Sequence, residues 1–126
     1  MSNDINEKNS ILVDRLYKQT KSGKIDWRMN SFSNEPEVKL KDVTLTLRGG
    51  NNANGAPLEI VVLEDGLGGL IDSFNDEDLA GQPMGISGFN DYFSAMKAMR
   101  QNALRQASGA NKVVDDLINF LSDEDS

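Results

Sequence analysis

Carboxylates are the side chains with most chemistry to offer in this chain. Its 126 residues hold 20 Asp and Glu against 13 Lys and Arg, with neither histidine nor cysteine. Paired carboxylates can divide acid and base work when their surroundings push their pKa values apart. Here they gather in turn-forming stretches and at the C-terminus, where solvent keeps a carboxyl group ordinary, so an enzyme is not expected. Without imidazole the usual general base, zinc ligand and pH switch are missing, and a Ser-His-Asp triad cannot be built. Without thiol there are no disulfides, thiolate metal sites or Cys nucleophiles, which fits a reducing compartment. No cofactor and no metal are expected.

The charge is unevenly placed. Residues 1–48 carry nine Lys and Arg against seven acids, and residues 92–126 carry four against five. Residues 49–91 carry eight acids and no Lys or Arg, so most of the net charge of −7 belongs to the middle third. Such a surface suits a basic protein partner. The candidate contact residues are Asp72, Asp76, Glu77 and Asp78 as an acidic rim, with Met84, Ile86 and Phe89 as an apolar centre. All but Asp72 belong to a 75–90 connection rich in glycine, and loops longer than about 12–15 residues are uncommon in compact domains unless functional or disordered. The alternative is that Leu79, Met84, Ile86 and Phe89 fold back and cap the core.

Other motifs carry less. Gly50-Asn-Asn-Ala-Asn-Gly55 has the glycine spacing of a phosphate loop, but Ala56-Pro57 stand where Lys and Ser/Thr are needed. Gly66-Leu-Gly68-Gly69 matches only the first two glycines of a dinucleotide fingerprint, with no helix after it. Asp76, Asp78 and Gly81 occupy positions 1, 3 and 6 of a calcium-loop pattern, yet Ala80 and Ser87 stand at positions 5 and 12. Lys97, Gln101 and Arg105 share one polar ridge at four-residue spacing and could hold an anionic small ligand such as a nucleotide. Two cations on a protein of this charge disfavour nucleic-acid binding.

The elements that must position these residues follow from periodicity. Asp4 to Thr20 has the pattern of a helix, with Asn3 as N-cap, Gly23 past its end, and Ile5, Leu12 and Leu16 on the buried face beside Val13 and Tyr17. Ile25, Trp27 and Met29 alternate as a strand with one buried face, with Trp27 in the core. Two strands over 37–41 and 43–48 meet at Lys41-Asp42, where the apolar parity switches. Gly49 to Pro57 has the composition of a flexible loop. Leu58 to Glu64, apolar on both parities, is expected as a central strand covered on both faces. It turns at Asp65-Gly66 into a second apolar run through Leu67, Leu70, Ile71 and Phe74. Asp91 to Ser108 is the longest periodic helix, capped by Asn90 and ended by Gly109, with Tyr92, Met96, Met99, Ala103 and Ala107 buried. A short helix near 111–121 is expected to bury Val113, Val114, Leu117, Ile118 and Leu121.

These elements make an α+β fold: an antiparallel meander of four to five strands with an N-terminal helix and two C-terminal helices packed on one face. One domain spans 1–121, with an acidic tail at 122–126. The Thr20-Lys21-Ser22-Gly23-Lys24-Ile25-Asp26-Trp27 segment resembles a T-x-x-G-K-I-x-W signature of small uncharacterised bacterial and phage proteins, where it joins a first helix to the sheet. The Asp65-Gly66 hairpin running on through Leu70-Ile71-Asp72-Ser73 is similar to theirs, as is the closing helix pair around Ala103-Leu104 and Gly109. That resemblance implies an accessory-genome protein of α+β fold and brings no activity and no catalytic residues. The expected function is a non-catalytic protein-binding module of inhibitor, immunity or anti-defence type. A homodimer through the sheet edge or the Met-bearing helix is a third reading. No apolar run approaches the ~20 residues that span a bilayer, and the polar N-terminus shows no signal segment. A cytoplasmic protein is the expectation.

Overall fold

The strand over Pro57–Glu64 forms where β-branched Ile60, Val61 and Val62 favour extended backbone, and the other strands pair outward from it. The computed structural model describes residues 4–124. In chain order these are α1 (Asp4–Lys21), β1 (Arg28–Met29), β2 (Pro36–Leu40), β3 (Val43–Asn51), β4 (Pro57–Glu64) and β5 (Leu70–Asn75). A one-turn 3-10 helix (Asp76–Leu79), α2 (Tyr92–Ser108) and α3 (Ala110–Glu124) complete it. The strands form one open sheet in the order β1-β2-β3-β4-β5, each antiparallel to its chain neighbour. The fold is therefore the expected α+β meander.

One face of the sheet carries the core. Val38, Leu45, Leu47, Val61 and Phe74 project from β2 to β5 into a cluster with Val13 and Leu16 of α1 and Tyr92, Met96, Met99 and Ala103 of α2. The other face presents Leu58, Ile60 and Val62 beside Thr44, Thr46 and Arg48, because successive strand residues point to opposite sides. Among the described residues no helix lies on that face. Both parities of β4 nonetheless hold buried residues, Glu59 and Val61 on the core side and Leu58 and Val62 on the other, as expected of a central strand.

The turns explain where the strands stop. Lys41 adopts a positive φ of 56°, closing the expected hairpin between Leu40 and Val43. The stretch expected as a loop over 49–57 is mostly strand, since β3 runs on through Asn51 and β4 starts at Pro57. Only Asn52–Ala56 turns, with the Asn52 Oδ1 accepting from the backbone N–H groups of Asn54 and Ala56 at 2.9 Å each. At the next turn Asp65 Oδ1 accepts from the amides of Leu67 and Gly69, and a bulge at Leu63/Glu64 shifts the register. Of the apolar run beyond it, Phe74 is buried while Leu67, Leu70 and Ile71 are exposed.

The first strand is shorter than expected. Only Arg28 and Met29 pair, opposite Glu37 and Pro36. Pro36 offers no N–H to the ladder, as befits a strand near an edge, and Trp27 leaves the sheet plane to donate its indole N–H to Thr20 Oγ1 at 3.0 Å. The Thr20 carbonyl also accepts from Gln106 Nε2 at 3.0 Å, so this residue joins α1, α2 and the segment leading into β1. Gly23, at φ 77°, ends α1 in the left-handed conformation that glycine tolerates best. Ile5 lies outside the buried face of α1, which is centred on Val13, Leu16 and Thr20. Asn3, the expected cap, falls outside the described residues.

The two C-terminal helices behave differently. The α2 stripe of Tyr92, Met96, Met99 and Ala103 is buried as expected. Its N-cap is Asp91 rather than Asn90, with Oδ1 accepting from the Ser94 amide at 2.9 Å. A carboxylate also complements the helix dipole, and starting the helix here makes Tyr92 its first residue. The burial expected of α3 does not occur: Val113, Val114, Leu117, Ile118 and Leu121 are all exposed, and the helix packs chiefly against α2. The reason is the joint. Only Gly109, at φ 74°, separates the helices, whereas folding one helix back on another takes a loop of about 2–5 residues. Ser122, Asp123 and Glu124, expected as tail, form the last turn of α3.

Thr20→Val leaves the buried Trp27 N–H without an acceptor and should cost about 1–3 kcal/mol in urea unfolding. Thr20→Ser keeps the hydroxyl and should cost clearly less. Equal losses in the two variants would show that the hydrogen bond contributes nothing.

Candidate functional site

Three consecutive carboxylates follow β5, and each is held by a different donor. Asn75 caps the one-turn helix, its Oδ1 accepting from the Asp78 amide at 3.1 Å while Asp78 Oδ2 accepts from the Asn75 amide at 2.9 Å. This reciprocal pair satisfies two backbone donors that would otherwise be orphaned. Asp76 Oδ1 accepts from the backbone N–H of Glu59 on β4 at 2.7 Å. Glu77 Oε2 accepts from Asn52 Nδ2 in the β3–β4 turn at 2.9 Å. Leu79, fully buried, anchors the turn from below. The result is a rigid acidic end with Glu77 and Asp78 exposed and Asp76 half-buried.

Among the described residues no cation forms an ion pair with Asp76, Glu77 or Asp78. The ion pairs among the described residues are Arg28–Asp26, Arg48–Glu35 and Arg100–Glu59, so Glu59 is the one acid of 49–91 that has such a partner. The Asp76 carboxyl is held above its usual pKa, first by burial. Hydrogen bonds from backbone N–H groups oppose that rise, and the negative charges of Glu77 and Glu59 add to it. Asp91, by contrast, is held below the usual range by its hydrogen bonds from Ser94. Asp72 lies four residues back along β5, opposite Leu63, with Oδ1 against the neighbouring Ser73 amide at 2.8 Å. The fold therefore brings Asp76, Glu77 and Asp78 together and leaves Asp72 apart.

The apolar half of the expected contact surface is largely turned inward. Ile86 is buried, and Met84 packs half-buried against the core. Phe89, also half-buried, meets Tyr17 of α1 edge-on at a 5.4 Å centroid distance. Their segment is pinned by a residue that sequence reasoning missed, Asp14 on α1. Its Oδ2 accepts from the Gly85 amide at 2.8 Å and its Oδ1 from the Tyr92 hydroxyl at 2.7 Å. Gly85 is required there, because a Cβ would sit 2.6 Å from Asp14 Oδ2. Burial, then Asp14 itself, pushes the Tyr92 pKa up, so the phenol stays a donor. A charged residue beside Val13 on the buried side of α1 was the available signal.

A second missed group lies beneath the acidic end. Glu59 faces inward from β4, its side chain 5% exposed, and Arg100 of α2 donates to it twice, Nε to Oε1 at 2.7 Å and Nη2 to Oε2 at 2.9 Å. These bonds hold the guanidinium charged. Gly49 makes room, since a Cβ there would come within 2.9 Å of Arg100 Nη2.

Lys97, Gln101 and Arg105 are exposed along α2 as expected. Lys97 Nζ sits 5.9 Å from the Phe93 ring centroid, and Arg105 Nε donates to Asn111 Oδ1 at 3.0 Å. They line neither of the two grooves described next. The larger groove, about 520 Å³, instead lies between Tyr17, Lys18 and Lys21 of α1 and residues 84–87. A smaller one of about 310 Å³ runs from Leu79 to Tyr92 past Asp91. Among the described residues, no three carboxylates converge as metal ligands, and no helix is long and apolar enough to cross a membrane.

No family model, curated protein or solved structure matches this chain.

Glu59→Gln should cost about 2–3 kcal/mol in urea unfolding, because it leaves the Arg100 charge half-buried without its counter-ion. Glu59→Met with Arg100→Met should regain most of that loss. A double variant as unstable as Glu59→Gln would mean that the unpaired Arg100 charge is not the source of the loss.

Proposed function

We propose that this protein is a non-catalytic binding module, of inhibitor, immunity or anti-defence type, whose acidic end engages a basic protein surface. The observation that carries the reading is the turn at Asp76, Glu77 and Asp78: three carboxylates on a capped, anchored turn that form no ion pair among the described residues. A cationic partner would relieve the repulsion that Glu77 and Glu59 exert on Asp76. The turn is also preorganised, so little ordering is lost on binding. The buried polar groups support the same reading. Asp14 with Tyr92, and Glu59 with Arg100, are spent on holding elements together. Contact at the acidic end would be chiefly electrostatic, with Met84 and Phe89 contributing only their exposed portions.

A second reading, a small anionic ligand, is favoured by the groove beside Lys18 and Lys21 rather than by the Lys97–Arg105 ridge. A nucleotide seated there would raise the melting temperature by mass action, and Lys18→Gln with Lys21→Gln would abolish that rise.

The test of the main reading neutralises charge while keeping every hydrogen-bond acceptor: Asp76→Asn, Glu77→Gln and Asp78→Asn together. Capture of a basic partner from lysate should weaken at least several-fold, and what remains should lose its dependence on salt. Capture that is unchanged at both low and high salt would overturn the reading.

A further inference from the structure

Between the one-turn helix and α2 the chain runs through residues 83–90 without regular structure. Among the described residues, two hydrogen bonds tie this stretch to the rest of the fold, and both lead to one place. The Gly85 N–H donates to Asp14 Oδ2 at 2.8 Å, and the Pro83 carbonyl accepts from the Tyr92 hydroxyl at 3.2 Å. That hydroxyl also donates to Asp14 Oδ1 at 2.7 Å. It has a single proton, and the shorter bond to Asp14 takes the larger share of it. The buried Asp14 carboxylate is therefore the node that fastens the whole stretch.

The ends of the stretch are built for turning. Gly81 and Gly88 stand at φ 86° and 95°, and nothing lies within 4 Å of where a Cβ would be on either. Glycine moves between such backbone states with little steric penalty. Each of the two is flanked by a fixed side chain. Fully buried Leu79 precedes Gly81, and Phe89, edge-on to Tyr17, follows Gly88. Between them Ile86 is buried and Met84 packs half-buried against the core. Met84 also lines both grooves described above, so residues 82–87 form the wall between them. If this wall lifts, the lost Gly85 bond is offset by the return of the Asp14 carboxylate to water. Segments with few backbone hydrogen bonds and solvent close by open at lower free energy than the whole fold.

We propose that residues 82–87 form a strap, latched at Gly85 by Asp14 and hinged at Gly81 and Gly88, that opens while the sheet and helices stay folded. Opening joins the two grooves and brings Met84 and Ile86 into solvent. These side chains then have both places that their setting among glycines allows: against the core when the strap is closed, at the surface when it is open. An apolar partner surface would reach Ile86 in the open state alone. The inference does not rest on the acidic turn as a binding site and stands independently of the reading above.

Thiol labelling tests it. The chain has no cysteine, so Ile86→Cys places a single thiol on the buried side of the strap. Val61→Cys places one in the core as a control. Where reclosing outpaces labelling, the rate of modification reports the open population. At low urea the thiol at 86 should label about tenfold faster than the one at 61, or more. Its rate should hardly change with urea, since little surface is exposed on opening. Asp14→Ala should raise the rate at 86 several-fold. Thr20→Val, which weakens the body elsewhere, should raise the rate at 61 and leave that at 86 unchanged. In the unsubstituted chain the Gly85 amide should exchange hydrogen faster than the amides of β4, again with little dependence on urea. Equal rates and equal urea dependence at the two thiols would overturn the proposal, because the stretch would then open only with the whole fold. So would a rate at 86 indifferent to Asp14→Ala, or one that Thr20→Val raises as much.

Discussion

A buried carboxylate facing the inner layer of a sheet must be paired or it will not stay ionised, and Glu59 is paired with Arg100. That pair sets where α2 lies. Arg100 follows Met99 directly and comes one turn after Met96, so fixing its guanidinium over β3 and β4 fixes the rotation that buries Met96, Met99 and Ala103. The absent Cβ of Gly49 lets the helix approach. The Glu59 backbone N–H meanwhile goes to Asp76, so one residue positions both the core helix and the acidic turn. Everything at that end of the molecule is built around this carboxylate.

Local chemistry made much of the fold legible. The parity switch across Lys41-Asp42 marks a real two-residue turn, and the α2 stripe is buried where its spacing placed it. The Thr20–Trp27 segment is also explained, since the two residues that bound it hydrogen-bond to each other. What failed to show were interactions between residues far apart in the chain. Asp14 and Tyr92, or Glu59 and Arg100, leave no periodic trace. A buried acid on an otherwise apolar face was the only hint of either pair. The opposite error came at α3, where a strong apolar stripe implied burial inside the same chain. Periodicity shows that a face must be covered but not by what, and Gly109 leaves too short a joint for α2 to cover it.

The acidity of the middle third has a similar double meaning. Asp65, Asp76, Asp78 and Asp91 each accept from backbone N–H groups at turns or caps, so part of the charge is simply the chemistry of ending strands and starting helices. Those hydrogen bonds order the carboxylates without neutralising them. At Asp76, Glu77 and Asp78 the outcome is a concentrated negative site of fixed geometry, and a cationic surface that meets it finds the charges already in place.

Binding of a cationic surface there depends on the site being electrostatically uncompensated in the free protein. A carbon-detected NMR titration of the Asp76 side-chain carboxyl measures this directly. Its midpoint should lie above that of an ordinary aspartate and should fall when Glu77→Gln removes a neighbouring charge. A midpoint at or below the ordinary value, unmoved by Glu77→Gln, would contradict the account.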